Sequence, residues 1–377
     1  MNVEVEVLNR YSEGAKAKQA ALCCPTSYDP ALLALLPEEI IERDYGCGDP
    51  TPYMRPGDVV LDLGSGVGKV CYLAAQIVGP EGRVIGIDMN DDMLALARKY
   101  QGEMAMKLGG DRVRFCKARI QDLALDLERL AEHLHRHPVR SLGDLAALRE
   151  LERRERREHP LVPDGSVDLV VSNCVLNLVP DADKPALIAE VHRVLKPGGR
   201  VAISDIVSDE PVPERLKADP LLWTGCLSGA FQEEGFLKAF LDAGFLAVRY
   251  AEWGKEPWQV VEGIEFRSVV LTAVKGAGTP CLDVGQAVVY RGPYASVSDD
   301  EGHVYTRGAR IAVCERSFRL LTEGPYRDDF IGITPMTPRD PVPWCAPAGT
   351  RRAAADTKGA LVTSVNGAGG CGTGGCC

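Results

Sequence analysis

Short runs of apolar, largely β-branched residues alternate with segments of helical periodicity from about residue 57 to residue 275. Runs of this kind, bounded by turn residues and separated by helices, indicate βαβ units and a parallel sheet covered on both faces. We predict seven strands, at residues 58–63, 83–88, 113–117, 167–172, 200–205, 247–251 and 267–274. The helices predicted between them include residues 69–78, 91–108 and 185–195. The predicted fold class is therefore α/β, a doubly wound, seven-stranded Rossmann-like sheet.

The pattern changes on both sides of this region. Residues 1–56 start with an amphipathic stretch, are interrupted by prolines, and are predicted to form an N-terminal lid before the main domain, residues 57–275. Residues 126–163 are a polar insertion within that domain and are predicted to form surface helices. Residues 276–345 open with a Gly-rich linker and are predicted to form a small C-terminal α+β domain. Residues 346–377, which are poor in large apolar side chains and contain cysteines, are predicted to be a disordered tail.

Charge and cysteine content narrow the range of functions. Forty-three Lys and Arg against fifty-three Asp and Glu give a net charge of −10, which repels phosphate backbones and predicts no nucleic-acid partner. The N-terminus has no signal-peptide pattern, and no apolar stretch of about 18 residues occurs, so we expect no membrane association and a cytoplasmic location. Thirteen cysteines in 377 residues are too few for a disulfide scaffold. We therefore expect reduced thiols, some of them functional.

A glycine-rich turn follows the first predicted strand. It reads Gly64-Ser65-Gly66-Val67-Gly68 and leads directly into the predicted helix 69–78. Glycines let a backbone approach a ligand closely, and Asp88 at the end of the second predicted strand is placed to accept hydrogen bonds from a ribose diol. The spacing predicts a nucleoside cofactor, although the dinucleotide fingerprint is not matched and a pyrophosphate is less favoured. The alternative is a tight structural turn, with Asp88 only capping a helix.

The motifs of this region resemble those of the class I S-adenosylmethionine methyltransferases. They are the glycine turn with the preceding Asp62, the acid Asp88, and residues 117–121, 166–173 and 194–199, in this order. The resemblance implies S-adenosylmethionine as cofactor, with the glycine turn on the methionine part, Asp88 on the ribose and Asn173 below the carboxyl group. The cofactor-binding residues it implies are Asp62, Gly64, Ser65, Gly66, Gly68, Asp88, Met89, Ile120, Gln121 and Asn173.

Four cysteines occur where the predicted fold would place a functional site. Cys47 lies in a Gly-Cys-Gly turn of the lid, Cys71 on the helix after the glycine turn, Cys174 after the fourth strand and Cys226 after the fifth. Buried cysteines often pack as small apolar residues, and this is the alternative for each of the four. We expect such packing for the remaining thiols considered, which are Cys23, Cys24, Cys116, Cys281, Cys314 and Cys345, with a redox or soft-ion site as the alternative for the Cys23-Cys24 pair. Thiolates that converge from several segments suit a soft, thiophilic acceptor.

The segments around these four cysteines resemble the arsenite methyltransferases. They are residues 45–48, 66–72, 172–180 and 222–230, and the C-terminal domain is also similar to that of the family. The resemblance implies that Cys174 and Cys226 bind As(III), delivered as a thiol complex, together with Cys47 or Cys71. The lone pair of arsenic would then take the methyl group of S-adenosylmethionine. The family also implies a Cys47–Cys71 disulfide that thioredoxin or glutathione restores to the thiols.

Two departures from the family pattern keep other functions open. Tyr11-Ser12-Glu13-Gly14 stands where the family usually has Tyr-Tyr-Gly, and the insertion at residues 126–163 is longer than expected. One alternative is a class I methyltransferase for a small organic acceptor, in which the cysteines only pack. The other is a non-catalytic metalloid-binding protein. An O- or N-methylating enzyme would more often require a general base, and no catalytic His or Glu stands out beside these motifs.

Overall fold

The computed structural model describes residues 3–19, 27–344 and 346–358. Contacts divide the chain into two units, residues 1–276 and residues 277–377. The expectations for Cys23, Cys24, Cys345 and the end of the tail, residues 359–377, lie outside the described residues. In the described part of the chain, no helix combines the length and the apolar character needed to cross a membrane.

The first unit is built on one large sheet. Its strands are β1 (Val59–Leu63), β2 (Arg83–Asp88), β3 (Val113–Lys117), β4 (Val167–Asn173), β5 (Leu195–Ser208), β6 (Phe231–Gln232), β7 (Phe245–Trp253), β8 (Gln259–Val261) and β9 (Ile264–Lys275). The order along the sheet is β3-β2-β1-β4-β5-β9-β7, with β6 beside β5 and β8 beside β9. Strands β1 to β5 pair in parallel. The predicted doubly wound α/β fold is confirmed, with two short strands added.

One strand runs against the others. The last strand, β9, pairs antiparallel with both β5 and β7, so the prediction of an all-parallel sheet is wrong at this edge. The physical reason is the length of the connection. Only residues 254–263 link β7 to β9, whereas a parallel crossover requires a dozen or more residues and usually a helix.

Helices cover both faces of the sheet. They are α1 (Val3–Lys16), α2 (Pro30–Leu33), α3 (Glu38–Glu42), α4 (Lys69–Val78), α5 (Asp91–Lys99), α6 (Gln101–Leu108), α7 (Leu127–Arg136), α8 (Leu142–Glu158), α9 (Lys184–Val194), α10 (Glu214–Lys217), α11 (Pro220–Thr224) and α12 (Glu233–Asp242). The helix predicted at 91–108 is interrupted at Tyr100, which ends α5 and precedes α6. The insertion forms α7 and α8, and neither helix has a buried residue.

The two faces of the sheet belong to separate apolar cores. Along β4, Leu169 and Val171 pack in the core that includes α4 and α5, whereas Val170 between them packs with α9 and α12. Successive side chains of a strand point to opposite faces, so a strand covered on both sides reads as a continuous apolar run. The two cores hold the parallel strands in register, and the carboxyl ends of these strands therefore meet at one edge.

The second unit is small and mixed. Its elements are β10 (Leu282–Asp283), β11 (Ala287–Tyr290), β12 (Ser296–Ser298), β13 (Val304–Thr306), β14 (Arg310–Ala312), α13 (Glu315–Thr322), β15 (Phe330–Ile333), β16 (Val342–Pro343) and α14 (Ala354–Thr357). Strand β11 pairs antiparallel with β14 on one side and β15 on the other. Val288, Tyr305 and Leu321 lie in its apolar core.

The first part of the predicted disordered tail is structured. Arg352 forms a buried ion pair with Asp283 at 2.6 Å, and Arg310 donates to the hydroxyl of Thr357 at 2.6 Å. Arg351 also makes a bridge to Ile311. The prediction of disorder is therefore wrong for residues 346–358. It rested on the scarcity of large apolar side chains, whereas charged and polar contacts hold this segment to the second unit.

The close packing of the turn before α4 can be tested by substitution of Gly68, with Gly109 as the comparison. Gly68 has φ 85°, and a Cβ there would lie 2.6 Å from the ring of Phe115; Gly109 has φ 71°, with open space around it. A Gly109→Ala substitution should lower the free energy of unfolding by about 1–2 kcal/mol, the cost of a left-handed backbone. A Gly68→Ala substitution should cost about 1–3 kcal/mol more, because the core must also move.

Urea unfolding of the first unit, followed for both variants and the wild type, measures this difference. Equal losses of stability in the two variants would contradict the close approach to Phe115.

Candidate active site

The glycine turn lies at the carboxyl end of β1, where it is pinned to the neighbouring strand. The backbone N–H groups of Gly64 and Ser65 both donate to the carbonyl of Ile87, at 2.8 and 2.9 Å. Gly64 has φ 69°, and a Cβ there would lie 2.5 Å from the side chain of Val175. The turn is therefore held tightly between β2 and the loop after β4, and Gly64 leaves no room for a side chain.

A large cavity opens above this turn, with about 1120 Å³ of empty space including its mouth. Nine of the ten predicted cofactor-binding residues line it: Asp62, Gly64, Ser65, Gly66, Asp88, Met89, Ile120, Gln121 and Asn173. The tenth, Gly68, does not. It is the N-cap residue of α4, and its position against Phe115 makes it a packing residue of the helix start.

Polar groups on the cavity wall fit a nucleoside ligand. The hydroxyl of Ser65 is buried and has no hydrogen-bond partner among the described residues. The Asp88 carboxylate accepts from the backbone N–H of Gly66 and of Asn90, both at 2.8 Å, and burial raises its pKa. Its position at the carboxyl end of β2 is where such folds bind a ribose diol. The residues present therefore fit S-adenosylmethionine.

Helix α1 closes one side of the cavity. Its residues Val7, Leu8 and Tyr11 line the cavity, and the side chain of Asn90 donates to the carbonyl of Leu8 at 2.9 Å. At the other end of the site, Arg10 donates to the hydroxyl of Thr224 at 2.6 Å. Val7 and Leu8 were not predicted as wall residues, and Tyr11 was noted only as a departure from the family's Tyr-Tyr-Gly. The signal that was present is the amphipathic pattern of the first residues, which does not by itself say what the apolar face covers.

Asn173, besides lining the cavity, is bonded to the N-terminal segment. Its side-chain oxygen accepts from the backbone N–H of Cys47 at 2.7 Å and of Gly48 at 3.0 Å, and its amide nitrogen donates to the carbonyl of Gly48 and to the hydroxyl of Tyr28. These four bonds use both acceptor positions of the amide oxygen and both N–H groups of the amide nitrogen. Asn173 therefore fixes the Gly-Cys-Gly turn of the N-terminal segment onto the end of β4.

Three of the four predicted cysteines meet beside the cavity. Cys47 and Cys174 form a disulfide, with their Cα atoms 5.8 Å apart. The Cys226 thiol donates to the carbonyl of Cys174 at 3.1 Å and lies 3.9 Å from the hydroxyl of Tyr11. The three residues share one apolar cluster. A small chamber adjoins the large cavity here, lined by Tyr11, Tyr45, Cys174, Ile206, Gly225, Cys226 and Trp258.

The backbone at two of these cysteines is unusual. Cys174 has φ 59° and Cys226 has φ 62°, a conformation that residues other than glycine rarely adopt. Such conformations cost roughly 1–3 kcal/mol each, and they persist where the surrounding structure imposes them, which is often at functional sites. Both residues line the same chamber.

Cys71 does not join this group. Its thiol is buried against the sheet and donates to the Asp62 carboxylate at 3.2 Å. The Cys47–Cys71 disulfide that the resemblance implies is not formed in this structure, in which Cys47 is bonded to Cys174. The reason is that α4 turns Cys71 inward, toward Gly86 of β2, where a Cβ on the glycine would lie 2.8 Å from the Cys71 sulfur. Burial also raises the pKa of the Cys71 thiol, so it stays protonated.

A buried carboxylate and an amide hold the two cysteine loops together. Asp205, on β5, accepts from the backbone N–H of Leu176 at 3.0 Å, just after Cys174. The side chain of Asn177 donates to the carbonyl of Ile206 at 2.7 Å and to that of Cys226 at 3.2 Å. Neither Asp205 nor Asn177 was predicted as a site residue, because their role depends on contacts between segments far apart in sequence.

Comparison with known proteins agrees with this geometry. A family model described as a methyltransferase domain matches residues 54–131 and 150–256, and one described as a domain of unknown function matches residues 277–362. An arsenic(III) S-adenosylmethionine methyltransferase from Chlamydomonas reinhardtii is structurally similar, with a TM-score of 0.56 and 27% sequence identity. That similarity covers 86% of this chain and 99% of the algal one.

Curated relatives are also similar in sequence over most of their length. The arsenite methyltransferase of Aquipseudomonas alcaligenes is 32% identical over 330 residues, which cover 83% of this chain and 84% of the relative. The mouse arsenite methyltransferase is 30% identical over 329 residues, or 84% of this chain and 77% of the relative.

Fold and site together define a class I S-adenosylmethionine-dependent methyltransferase, which confirms the predicted cofactor. The strand order, the glycine turn after β1 and the acid Asp88 at the end of β2 agree with this class. Within the class, the chain belongs to the arsenite methyltransferase family.

The buried carboxylate beneath the cavity predicts a pH effect on stability. Burial is the main cause that raises the pKa of Asp62 to about 7. The folded chain therefore keeps a proton that the unfolded chain loses near pH 4, so this group stabilises the fold at low pH and the contribution is lost as pH rises through about 7.

An Asp62→Asn variant should remove this dependence. Relative to the wild type, its free energy of unfolding should rise by about 2–3 kcal/mol between pH 5 and pH 8. Urea unfolding of both proteins, without cofactor, at several pH values measures the difference. A difference that stays constant with pH would show that Asp62 is not held protonated.

Proposed function

We propose that this chain is an arsenite methyltransferase, which transfers methyl groups from S-adenosylmethionine to thiol-bound As(III) and so serves in arsenic detoxification. The observation that carries the proposal is the position of Cys174, which lines both the cofactor cavity and the small chamber that contains Cys226. A ligand held by these two sulfur atoms would lie at the junction of the two spaces. Once the disulfide is reduced, three sulfur donors beside aromatic walls suit a soft metalloid better than a hard cation.

Each wall of the large cavity has a proposed task in binding the cofactor. S-adenosylmethionine supplies an electrophilic methyl group on a sulfonium centre. The glycine turn, with the hydroxyl of Ser65, holds the methionine part, and Asp88 accepts from the ribose diol. Met89 and Ile120 give an apolar surface for the adenine. Helix α1 excludes water from the junction, which favours transfer to arsenic over side reactions.

We assign the arsenic ligands to Cys174 and Cys226, with Cys47 as the third. Arsenic bound through sulfur keeps a lone pair and carries no proton on arsenic, so the site needs no general base. The strained backbone of Cys174 and Cys226, held by Asp205 and Asn177, keeps both sulfur atoms facing the chamber. Cys71 supports Asp62 beneath the cofactor in this proposal, and it is not an arsenic ligand.

The Cys47–Cys174 disulfide requires a reductant before arsenic can bind there. Two electrons from thioredoxin or glutathione, with two protons, convert the disulfide to the Cys47 and Cys174 thiols and leave the reductant as a disulfide. A reducing compartment such as the cytoplasm would supply these reductants. The disulfide thus links arsenic binding to the supply of reducing equivalents.

Replacement of one ligand tests the assignment. In a Cys174→Ser variant, assayed with arsenite, glutathione and labelled S-adenosylmethionine, formation of methylated arsenic should fall to about 1% or less, because loss of one donor removes the chelate advantage. Binding of S-adenosylmethionine, measured by calorimetry, should remain. Cys116→Ser is the matched control, since Cys116 is a buried thiol on β3 away from the chamber. Full activity in Cys174→Ser would instead indicate an acceptor that does not use these thiols.

Reduction should control arsenic binding at this site. In protein with the Cys47–Cys174 disulfide intact, arsenite should not bind Cys174 and Cys226 together. It should therefore not protect the Cys226 thiol from alkylation, and no methylated arsenic should form. Addition of a phosphine reductant should restore both. Mass spectrometry of alkylated peptides, run beside the methylation assay, follows the two changes. Equal methylation before and after reduction would contradict the proposed role of the disulfide.

A further inference from the structure

The second unit contains a cavity whose walls are largely aromatic. It encloses about 630 Å³ of empty space including its mouth. Five aromatic side chains from three strands and two connecting loops line it: Tyr290, Tyr294, Tyr305, Tyr326 and Phe330. The cofactor cavity and the sulfur chamber are lined by residues of the first unit. The aromatic cavity is therefore separate from the methyl-transfer site.

Contacts within the second unit hold these aromatic walls in place. Tyr290 and Phe330 are paired residues on neighbouring antiparallel strands, and their ring centroids are 5.5 Å apart. The ring of Tyr305 meets that of Phe330 edge to face, at 5.1 Å. The hydroxyl of Tyr290 accepts from the backbone N–H of Tyr294 at 3.3 Å, which ties the loop to the strand. Walls that are already ordered reduce the entropy that a ligand must lose on binding.

Two carboxylates give the cavity a negative lining. Asp299 accepts from the hydroxyl of Tyr305 at 2.7 Å and lies 2.9 Å from Nδ1 of His303. Burial would raise the pKa of Asp299, but the hydrogen bonds from His303 and Tyr305 hold it below its ordinary value. Asp329 supplies the second carboxylate from an exposed position. Among the described residues, no Lys, Arg or His lines the cavity, so the lining favours a positively charged ligand.

We propose that this cavity binds a small methylated organic cation, with a quaternary ammonium or sulfonium centre. The inference is independent of the proposed function, because it uses residues of the second unit alone. Such a centre carries a positive charge but no N–H group, so hydrogen bonds cannot satisfy it, whereas the negative face of an aromatic ring attracts it. Each ring that contacts the cation contributes a factor of roughly 2 to 30 in affinity, and the factor grows as water is removed.

The same lining disfavours other classes of ligand. A hard metal ion requires several oxygen ligands, and the described residues contain no cluster of three or more His, Cys, Asp or Glu side chains that could hold one. An anion would be repelled by Asp299 and Asp329. A neutral apolar molecule would contact the rings but would leave both carboxylates without a counter-charge.

Titration of the full chain with choline, and separately with trimethylsulfonium, tests this inference. The neutral control is 3,3-dimethylbutan-1-ol, which has the shape of choline without its charge. The protein is saturated with S-adenosylhomocysteine, so that the cofactor cavity is filled. It is kept near about pH 9, because the hydrogen bond to Asp299 raises the pKa of His303 and a protonated imidazole would offset that carboxylate. Measured by ligand-observed NMR, choline should bind about tenfold or more tightly than the alcohol.

Two exposed residues of the lining provide variants that should fold. Tyr294 is 68% exposed, and Tyr294→Ala keeps the backbone N–H that bonds Tyr290. This variant should weaken choline binding about 5-fold or more. Asp329→Asn should weaken it about 2- to 5-fold. Asp328→Asn is the matched control, since Asp328 is also exposed and does not line the cavity, and it should leave the affinity unchanged.

The outcomes separate a cation site from a general apolar cavity. Binding of either cation that is weakened by Tyr294→Ala and Asp329→Asn, and not by Asp328→Asn, supports the inference. Absence of binding by both cations, equal binding of the neutral alcohol, or equal losses in the two aspartate variants overturns it. A trimethyllysine peptide that binds when neither free cation does would also overturn it, because the ligand would then belong to a protein partner. Near-ultraviolet circular dichroism checks that each variant keeps its fold.

Discussion

The hydrogen bonds of one amide side chain determine the arrangement of the site. Asn173, at the end of β4, holds the backbone of Cys47 and Gly48 and so places the N-terminal segment against the sheet. The next residue is Cys174, which is bonded to Cys47. These two adjacent residues therefore help to close the cofactor cavity and bring two sulfur atoms together. Asn173 is partly buried, and its amide is fully satisfied by three backbone groups and the hydroxyl of Tyr28. Such an amide is costly to disturb wherever water cannot replace the broken bonds.

Buried carboxylates carry out a related task on each side of this junction. Asp62 and Asp205 lie on strands β1 and β5, and burial raises the pKa of each to about 7. Asp205 bonds the loop after Cys174, while Asp62 accepts from the Cys71 thiol below the cofactor cavity. In both cases a carboxyl group on a strand of the sheet accepts a hydrogen bond from a group near the cavities. Hydrogen bonds from the sheet therefore hold the cysteine segments in place.

Most of the sheet was predictable because local sequence carries its signal. The bounds of β2 and β3 agree with the prediction, since each strand follows a turn rich in glycine. The direction of β9 was not predictable from its own residues, because it depends on how short the connection from β7 is. Residues 346–358 were also misjudged, since ion pairs such as Arg352 with Asp283 leave no periodic pattern in sequence.

The sequence by itself determined the order of the motifs along the chain and the glycine turn with its acid Asp88. It also determined the family that the cysteine segments resemble. Only the tertiary structure decided which thiols meet. Cys71 lies close to Gly66 in sequence yet faces Asp62 and the core, whereas Cys226 reaches Cys174 from another segment. Sequence reports local preference and periodicity, but the pairing of sulfur atoms depends on the backbone direction at each strand end and on long-range hydrogen bonds.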